Sequence, residues 1–476
     1  MDYILHAIHD IIGLNTGIIF AVQQEVRHFF SPSNNQRLCQ IAVCSNIPFY
    51  NNNYHNHFNN NFNCNNNFNN NFNNFNNNFN NNNQFHQHHR NNNYQNNNNN
   101  YQNNQEGNNG FNDENNYNYM IQDMDHLRGL ANIASTCYMN SILQCFCNIT
   151  EFRDYFSTAK MNQLAINNYN SNKLFPAVQE VVQNLSMVWD NSPYYPYNFK
   201  QRLGAMNPLF QGAYPNDAKD LLTFILLQLH EELNKPIADN NNNINNNNII
   251  VNQSDKKLMF KLFSKEFTKK YRSIISALFF GLNYNESECF MHHKIYNYQT
   301  FNFIIFPLEK VLQYKIKKNN FCSNFNNTVT LYDCFEHYQL YSTLNDFYCN
   351  QCKKQTVVNY RTVISLLPNI LIIILNRGKG LEFKVNISFE NENLGLGKYV
   401  EFLQDKSLYE LIGMVTHYGD SSAGGHFVAR CKSLKDDGQW YLYNDQTVEK
   451  IGYFNKDTFA QGNPYILFYK KINFQN

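Results

Sequence analysis

Between residues 51 and 119 asparagine displaces almost everything except scattered Phe, Tyr and His. Such a composition cannot bury enough apolar surface to offset the entropy of an ordered backbone, so the tract is expected to be disordered. It therefore decides where a fold can begin. Residues 1–50 read as an N-terminal segment of uncertain structure, 51–122 as an Asn-rich low-complexity region, and 123–472 as one foldable domain. A second run, "NNNNINNNN" at 240–248, marks a loop insertion over about 236–254. Lengthening a surface loop costs little closure entropy, so the domain tolerates it. Asn-rich sequence with interspersed aromatics also has a capacity for self-association.

Outside these tracts the balance favours a packed protein. The chain is 43% hydrophobic and 16% aromatic, enough for a substantial core. With 38 basic and 37 acidic residues the net charge is +1, which argues against a nucleic-acid partner. The apolar stretch 3–22 is interrupted by His6, His9, Asp10 and Asn15, so no membrane anchor is expected. Twelve cysteines with no secretion signal read as reduced thiols or metal ligands. The expected setting is intracellular, in the cytoplasm and/or nucleus.

Helical periodicity occupies 138–150 and 216–233. From about residue 295 short Ile, Val, Phe and Tyr-rich runs suggest strands: 298–306, 370–375, 413–418, 425–431, 439–444 and 465–470. Helices first and strands later imply an α+β domain.

One cysteine stands where folding begins. Met139, Ile142, Leu143 and Phe146 form an apolar stripe, with Ser135 and Thr136 ahead of it as N-cap types, so Cys137 is expected in the first helical turn. Unpaired N–H groups and the helix dipole there favour a thiolate. A buried packing cysteine is the plainer alternative. A nucleophilic cysteine also needs a base and a group to orient that base. His426 opens a strand just after Gly424 and Gly425, and the chain returns through "QWYLYND" to bring Asn444 back toward it. An Asn there would hold the imidazole in the useful tautomer.

"GLANIASTCYMNSILQ" (129–144) resembles the cysteine box of the ubiquitin-specific protease family of deubiquitinases, GLxNxGNTCYMNSxLQ. "YELIGMVTHYGDSSAGGHFVARC…WYLYND" resembles the same family's histidine box. Between and after them "PNDAKDLLTFILLQLHEELN", "LLPNILIIILNRG" and "NPYILFYKK" are similar to three further family blocks, all in order. The resemblance implies a papain-like cysteine protease fold with a helical thumb, a β-sheet palm and β fingers. It implies Cys137 as nucleophile, His426 as general base, Asn444 as its orienting partner, Asn132 as an oxyanion-hole amide and Asp445 as a supporting acid. Ala134 and Ser135 depart from the family's Gly and Asn.

The implied reaction is hydrolysis of the bond between the C-terminal glycine of ubiquitin and a lysine or peptide, through a thioester and with no cofactor for catalysis. Ubiquitin and ubiquitinated proteins are the implied partners. Gly424 and Gly425 match the gate of the channel for ubiquitin's tail. Asp217 and Asp220 match acidic positions near that tail, although acids at a helix N-terminus are also favoured by the dipole alone. A catalytically inactive ubiquitin-binding module is the alternative reading of the whole chain.

"CNQC" (349–352) has the spacing for two thiolates on one tetrahedral zinc. Cys289 and His292 repeat that separation and match the family's first knuckle. The expected structural site is Cys289, His292, Cys349 and Cys352, with His293 as an alternative fourth ligand. Cys145, Cys147, Cys322, Cys334 and Cys431 are expected to pack.

Overall fold

The computed structural model describes residues 128–472 apart from 159–172, 187–191, 238–254, 320–326, 378–384, 402–406, 422–423, 436, 456–458 and 460. The segment 1–50, the Asn-rich tract 51–122, Cys322 and nearly all of the insertion lie outside the described residues.

Helices come first. They are α1 (Cys137–Cys147), α2 (Thr150–Ser157), α3 (Phe175–Ser186), α4 (Tyr197–Met206), α5 (Ala218–Leu233), α6 (Lys256–Lys270) and α7 (Ile274–Phe279). Strands β1 (Gly281–Cys289), β2 (Lys294–Phe301) and β3 (Ile304–Pro307) follow, then α8 (Leu308–Lys318), β4 (Thr328–Thr330) and α9 (Leu331–Tyr338). The rest is β5 (Ser342–Cys349), β6 (Lys354–Leu366), β7 (Ile370–Asn376), β8 (Asn386–Ser388), β9 (Leu394–Gly395), β10 (Leu408–Ser421), β11 (Gly424–Lys432), β12 (Gln439–Asn444), β13 (Thr447–Tyr453) and β14 (Asn463–Lys471).

Two large sheets divide the work, beside a two-stranded parallel pair of β4 and β8. One runs β13-β12-β11-β10-β14-β7-β3, with β9 beside β10, and forms the palm. The other, β2-β1-β6-β5, forms the fingers. Strand β7 is buried on both faces, which explains the unbroken apolar run "ILIIIL". Ile370, Ile372 and Ile374 join the core shared with the helical thumb, whereas Leu371, Ile373 and Leu375 face a second core under α8 and α9. The expected α+β, papain-like architecture is what folds.

Helix α1 lies at the centre, and every one of its residues is buried. It packs on β10 and β11 as well as on the thumb, so it is enclosed all round and not merely amphipathic. Phe146 stacks on Phe152 at 4.9 Å and meets Phe279 and Phe468 edge-on at 5.7 and 6.1 Å. Truncating such a ring to Ala would cost about 3–5 kcal/mol.

The six expected strands map onto the structure with one change. The run 298–306 is two strands in different sheets, since the chain leaves the fingers after Phe301 and enters the palm at Ile304, parallel to β7. Strands β1, β5 and β6 carry too many polar residues to announce themselves, and only the sheet reveals them.

Candidate active site

Cys137 is the first residue of α1 and only 7% exposed. The expected side-chain cap does not form. Thr136 holds the N-cap position, but its Oγ1 accepts from the Ile133 N–H at 3.0 Å, and its own N–H donates to Asn132 Oδ1 at 2.9 Å. The loop 132–136 thus folds upon itself, which leaves the first helical N–H groups without a side-chain cap. Ala134 and Ser135 sit at φ +94° and +51°, in the left-handed region. This is the physical reason the family pattern prefers Gly and Asn here; a side chain there costs about 1–3 kcal/mol.

His426 lies near the start of β11, opposite Tyr418 of β10. Its Nε2–H donates to Asn444 Oδ1 at 2.6 Å, and its ring lies beside the Cys137 side chain. The antiparallel register of β11 and β12, with Ala429 opposite Tyr443, puts Asn444 at the strand end nearest His426. The Cys137 side chain beside it is the largest cause that pushes His426 up to about 9; burial opposes it and Asn444 adds to it. The ring is therefore cationic at neutral pH.

Asp445 serves the other wall of the cleft. Its Oδ2 accepts from Asn132 Nδ2 at 2.8 Å and its Oδ1 from Asn140 Nδ2 at 2.8 Å, while its backbone oxygen accepts from the Leu130 N–H at 2.9 Å. Gly129 is required by the same contact, because a Cβ there would lie 2.2 Å from the Gln446 carbonyl oxygen. One Nδ2 hydrogen of Asn132 is engaged by Asp445, which leaves a second for another acceptor. Sequence reasoning passed over Asn140. Its signal was a polar residue one turn from Cys137 on a buried helix, which must find partners.

Asp217 is the N-cap of α5, and its Oδ1 accepts from the Lys219 N–H at 2.8 Å. Both its carboxylate oxygens lie 2.8 Å from the Tyr465 hydroxyl of β14, a partner not foreseen from sequence. Asp220 is in the first turn, 3.6 Å from Lys219 Nζ, and burial raises its carboxyl above the usual range more than Lys219 lowers it. Gly424 opens to space, whereas a Cβ on Gly425 would stand 2.3 Å from His417 Nε2. The close approach at Gly425 is thus made by the His417 ring. Ser422 and Ala423 lie outside the described residues.

At the fingertip Cys289, His293, Cys349 and Cys352 bring four donor atoms within 4.8 Å of one another. Cys289 Sγ is 3.7 Å from Cys352 Sγ, and His293 Nδ1 is 3.2 and 3.7 Å from the sulfurs of Cys352 and Cys349. Tetrahedral zinc at its usual bond lengths sets sulfur–sulfur edges of about 3.8 Å and sulfur–nitrogen edges of about 3.6 Å. The donor set and spacing fit zinc. Burial would raise the Cys349 thiol, but the Cys352 and Gln351 N–H groups and the His293 ring bring it down to about 6. The expected ligand His292 is corrected to His293. His292 takes φ +60° in the β1–β2 turn, which swings its ring outward to Glu288 Oε1 at 2.7 Å with the side chain 86% exposed. Cys145, Cys147, Cys334 and Cys431 are buried, as expected of packing residues. Among the described residues no helix is long and apolar enough to cross a membrane.

A family profile described as "Ubiquitin carboxyl-terminal hydrolase" matches residues 128–469. The chain belongs to the ubiquitin carboxyl-terminal hydrolase family. The resemblance to its ubiquitin-specific protease members, read from five sequence blocks, is borne out. Human ubiquitin carboxyl-terminal hydrolase 2 is 25% identical over 356 residues, covering 72% of this chain and 55% of that protein. Ubiquitin carboxyl-terminal hydrolase 4 of Saccharomyces cerevisiae (strain RM11-1a) is 25% identical over 397 residues, covering 75% and 40%. The chain spans about half the length of the curated relatives it matches. Among solved structures, the SAGA Ubp8/Sgf11/Sus1/Sgf73 DUB module bound to ubiquitin aldehyde superposes with a TM-score of 0.51 at 22% identity. It covers 74% of this chain and 70% of that one. A second SAGA DUB module, bound to monoubiquitin, gives 0.52 at 21% identity, covering 75% and 74%. These two likenesses establish the fold.

Proposed function

We propose that this protein is a deubiquitinase that hydrolyses the bond between ubiquitin's C-terminal glycine and a lysine or peptide. The observation that carries the reading is His426 lying beside Cys137 while it bonds Asn444, three residues from three separate elements. A cationic imidazole beside a sulfur is the arrangement a thiolate nucleophile needs. Cys137 attacks the glycine carbonyl and forms a tetrahedral intermediate. Asn132 then donates its spare N–H to the oxyanion, a donor already in place before charge develops. His426 passes its proton to the departing amine, leaving a thioester on Cys137. The ring, now neutral, draws a proton from the water that hydrolyses the thioester. Asn444 holds the ring, and Asp445 holds Asn132.

Asp217 and Asp220 suit a basic tail, with Tyr465 steadying the first. Gly424 and Gly425 line the approach of a Gly-Gly terminus. At the fingertip Cys289, His293, Cys349 and Cys352 would hold a structural zinc that ties β1 to β5 and β6. The catalytic domain is taken as 123–472, in an intracellular protein of cytoplasm and/or nucleus, with self-association as a property of the Asn-rich tract.

A ubiquitin probe bearing a C-terminal electrophile tests the reading. The wild type should form a covalent adduct that Cys137→Ala loses. Ubiquitin binding without any adduct would sink the enzyme and leave an inactive ubiquitin-binding module.

A further inference from the structure

Asn444 and Asp445 are consecutive, yet they serve different walls of the cleft: the first accepts from His426 and the second from Asn132. Asp445 stands in the turn between β12 and β13 at φ +49°. A turn at the rim of a sheet does little by itself to fix where a side chain points. What fixes Asp445 comes from another element, the helix that carries Cys137.

Asn140 lies one turn after Cys137 on α1 and is 2% exposed. Its Nδ2 donates to Asp445 Oδ1 at 2.8 Å and to the Leu130 and Ala131 carbonyls at 3.2 Å each. The bond to the carboxylate is the shortest, as charge assistance predicts. Asp445 Oδ2 meanwhile accepts from Asn132 Nδ2 at 2.8 Å. The carboxylate is thus pinned at both oxygens, and without Asn140 it could turn about its Cβ–Cγ bond. Asn132 depends on that plane. The loop holds Asn132 by its oxygen, through the Thr136 N–H at 2.9 Å, whereas among the described residues Asp445 alone holds its nitrogen.

The orientation of Asn140 has a cost. Its Oδ1 is buried and has no hydrogen-bond partner among the described residues. An unpaired buried acceptor is unfavourable, and what offsets it is an Nδ2 group aimed wholly at oxygens of the cleft wall.

We infer that Asn140 is a positioning residue for the oxyanion step: it holds Asp445, and through Asp445 it aims the Asn132 N–H at the developing charge. The inference rests on the deubiquitinase reading. Helix α1 then supplies the sulfur at its first residue and, one turn on, the anchor of the donor, so the two keep their relation as one rigid unit. Asn140 itself touches neither substrate nor sulfur. Its contribution is confined to states in which the reacting oxygen carries charge.

The full chain is compared with Asn140→Leu, Asn132→Ala and the double variant. The readouts are kcat/KM for ubiquitin joined through an isopeptide bond to a peptide, affinity for free ubiquitin, and affinity for ubiquitin aldehyde, whose adduct with Cys137 carries a tetrahedral oxygen. Asn140→Leu should lose roughly tenfold in kcat/KM and in affinity for the aldehyde, with affinity for free ubiquitin unchanged. In the Asn132→Ala background the same substitution should cost less than about twofold, because the donor it aims is gone. Losses that multiply, or an equal weakening toward ubiquitin and its aldehyde, overturn the inference and leave Asn140 a packing residue. Where Asn140→Leu fails to fold, Asn140→Asp removes the donor at nearly constant volume and is read by the same cycle. A wild type that neither cleaves the isopeptide nor binds the aldehyde more tightly than ubiquitin overturns the deubiquitinase reading itself, and the inference with it.

Discussion

The cleft around Cys137 and the tip of the fingers both gather side chains from distant parts of the chain, yet different forces hold them. In the cleft, α1 is enclosed by the thumb and the palm, and buried amides fasten the strip before Cys137. Asn140 Nδ2 reaches the Leu130 and Ala131 carbonyls at 3.2 Å each, and Gln144 Nε2 reaches that of Arg128 at 2.9 Å. The fingertip has almost no apolar core: Cys289, Cys349 and Val358, with Phe347 and Cys352 against them, make up its cluster. The first five residues of β5 are exposed, and Phe290 in the tip turn is 81% exposed. Further down the fingers a buried charge does the fastening. Glu286, 4% exposed, takes Arg361 at 2.7 Å and Lys294 at 3.3 Å. Packing preorganises the cleft; the fingertip needs a cross-link, because so small a core cannot offset the entropy of ordering it.

That contrast can be broken or sharpened by experiment. The largest effect belongs to Cys137→Ala, which should remove turnover by at least about 10⁴-fold while leaving thermal unfolding near that of the wild type. A variant that failed to fold would show that the sulfur also organises the cleft.

Next comes Cys349→Ser. It should cut bound zinc from about one ion per chain toward none and release hydrogen-exchange protection in β1, β2, β5 and β6, with the palm amides still protected. Equal loss across both sheets would erase the distinction drawn here.

Asp445→Ala should lower kcat/KM by about 10²-fold, because Asn132 loses the carboxylate that aims it, while zinc content stays constant. Retained activity would mean that the loop 132–136 holds Asn132 unaided.

A smaller effect is spectroscopic. The His426 ring should titrate near 9 by NMR in the wild type and fall toward the ordinary imidazole value in Cys137→Ala. The folded-state value is raised, so its contribution to stability is complete below the unfolded imidazole pKa and fades as pH rises through about 9. The wild type should lose more stability than Cys137→Ala across that window.

The smallest change is expected of Ala134→Gly. Relief of the strain at φ +94° should outweigh the added freedom of the unfolded chain and stabilise the protein by about 1 kcal/mol. A lower melting temperature would mean that the loop carries no such strain.

Much of the cleft was legible because local signals coincide there. The apolar stripe of α1 marked the helix that begins at Cys137, the glycines marked the start of β11, and hairpin logic brought Asn444 toward His426. The fingertip was legible only by spacing, and spacing chose the wrong histidine. Adjacent residues in a turn point in different directions, and the backbone conformation at His292 decides which one faces inward. Tyr465 and Asn140 were missed for another reason. A buried polar side chain is explained by its partner, and here the partners sit on elements remote in sequence.

By itself, then, the order of residues settled the family and the helix-then-strand architecture, and it singled out Cys137, His426 and Asn444, which the fold brings to one cleft. These depend on local periodicity and on residue type, which a linear string carries. Tertiary structure alone decided that Asp445 accepts from Asn132 and that His293 and not His292 turns toward the thiols. Each depends on strand register and backbone dihedral angles. Those are set by how distant segments pack together, and no short stretch of sequence encodes them.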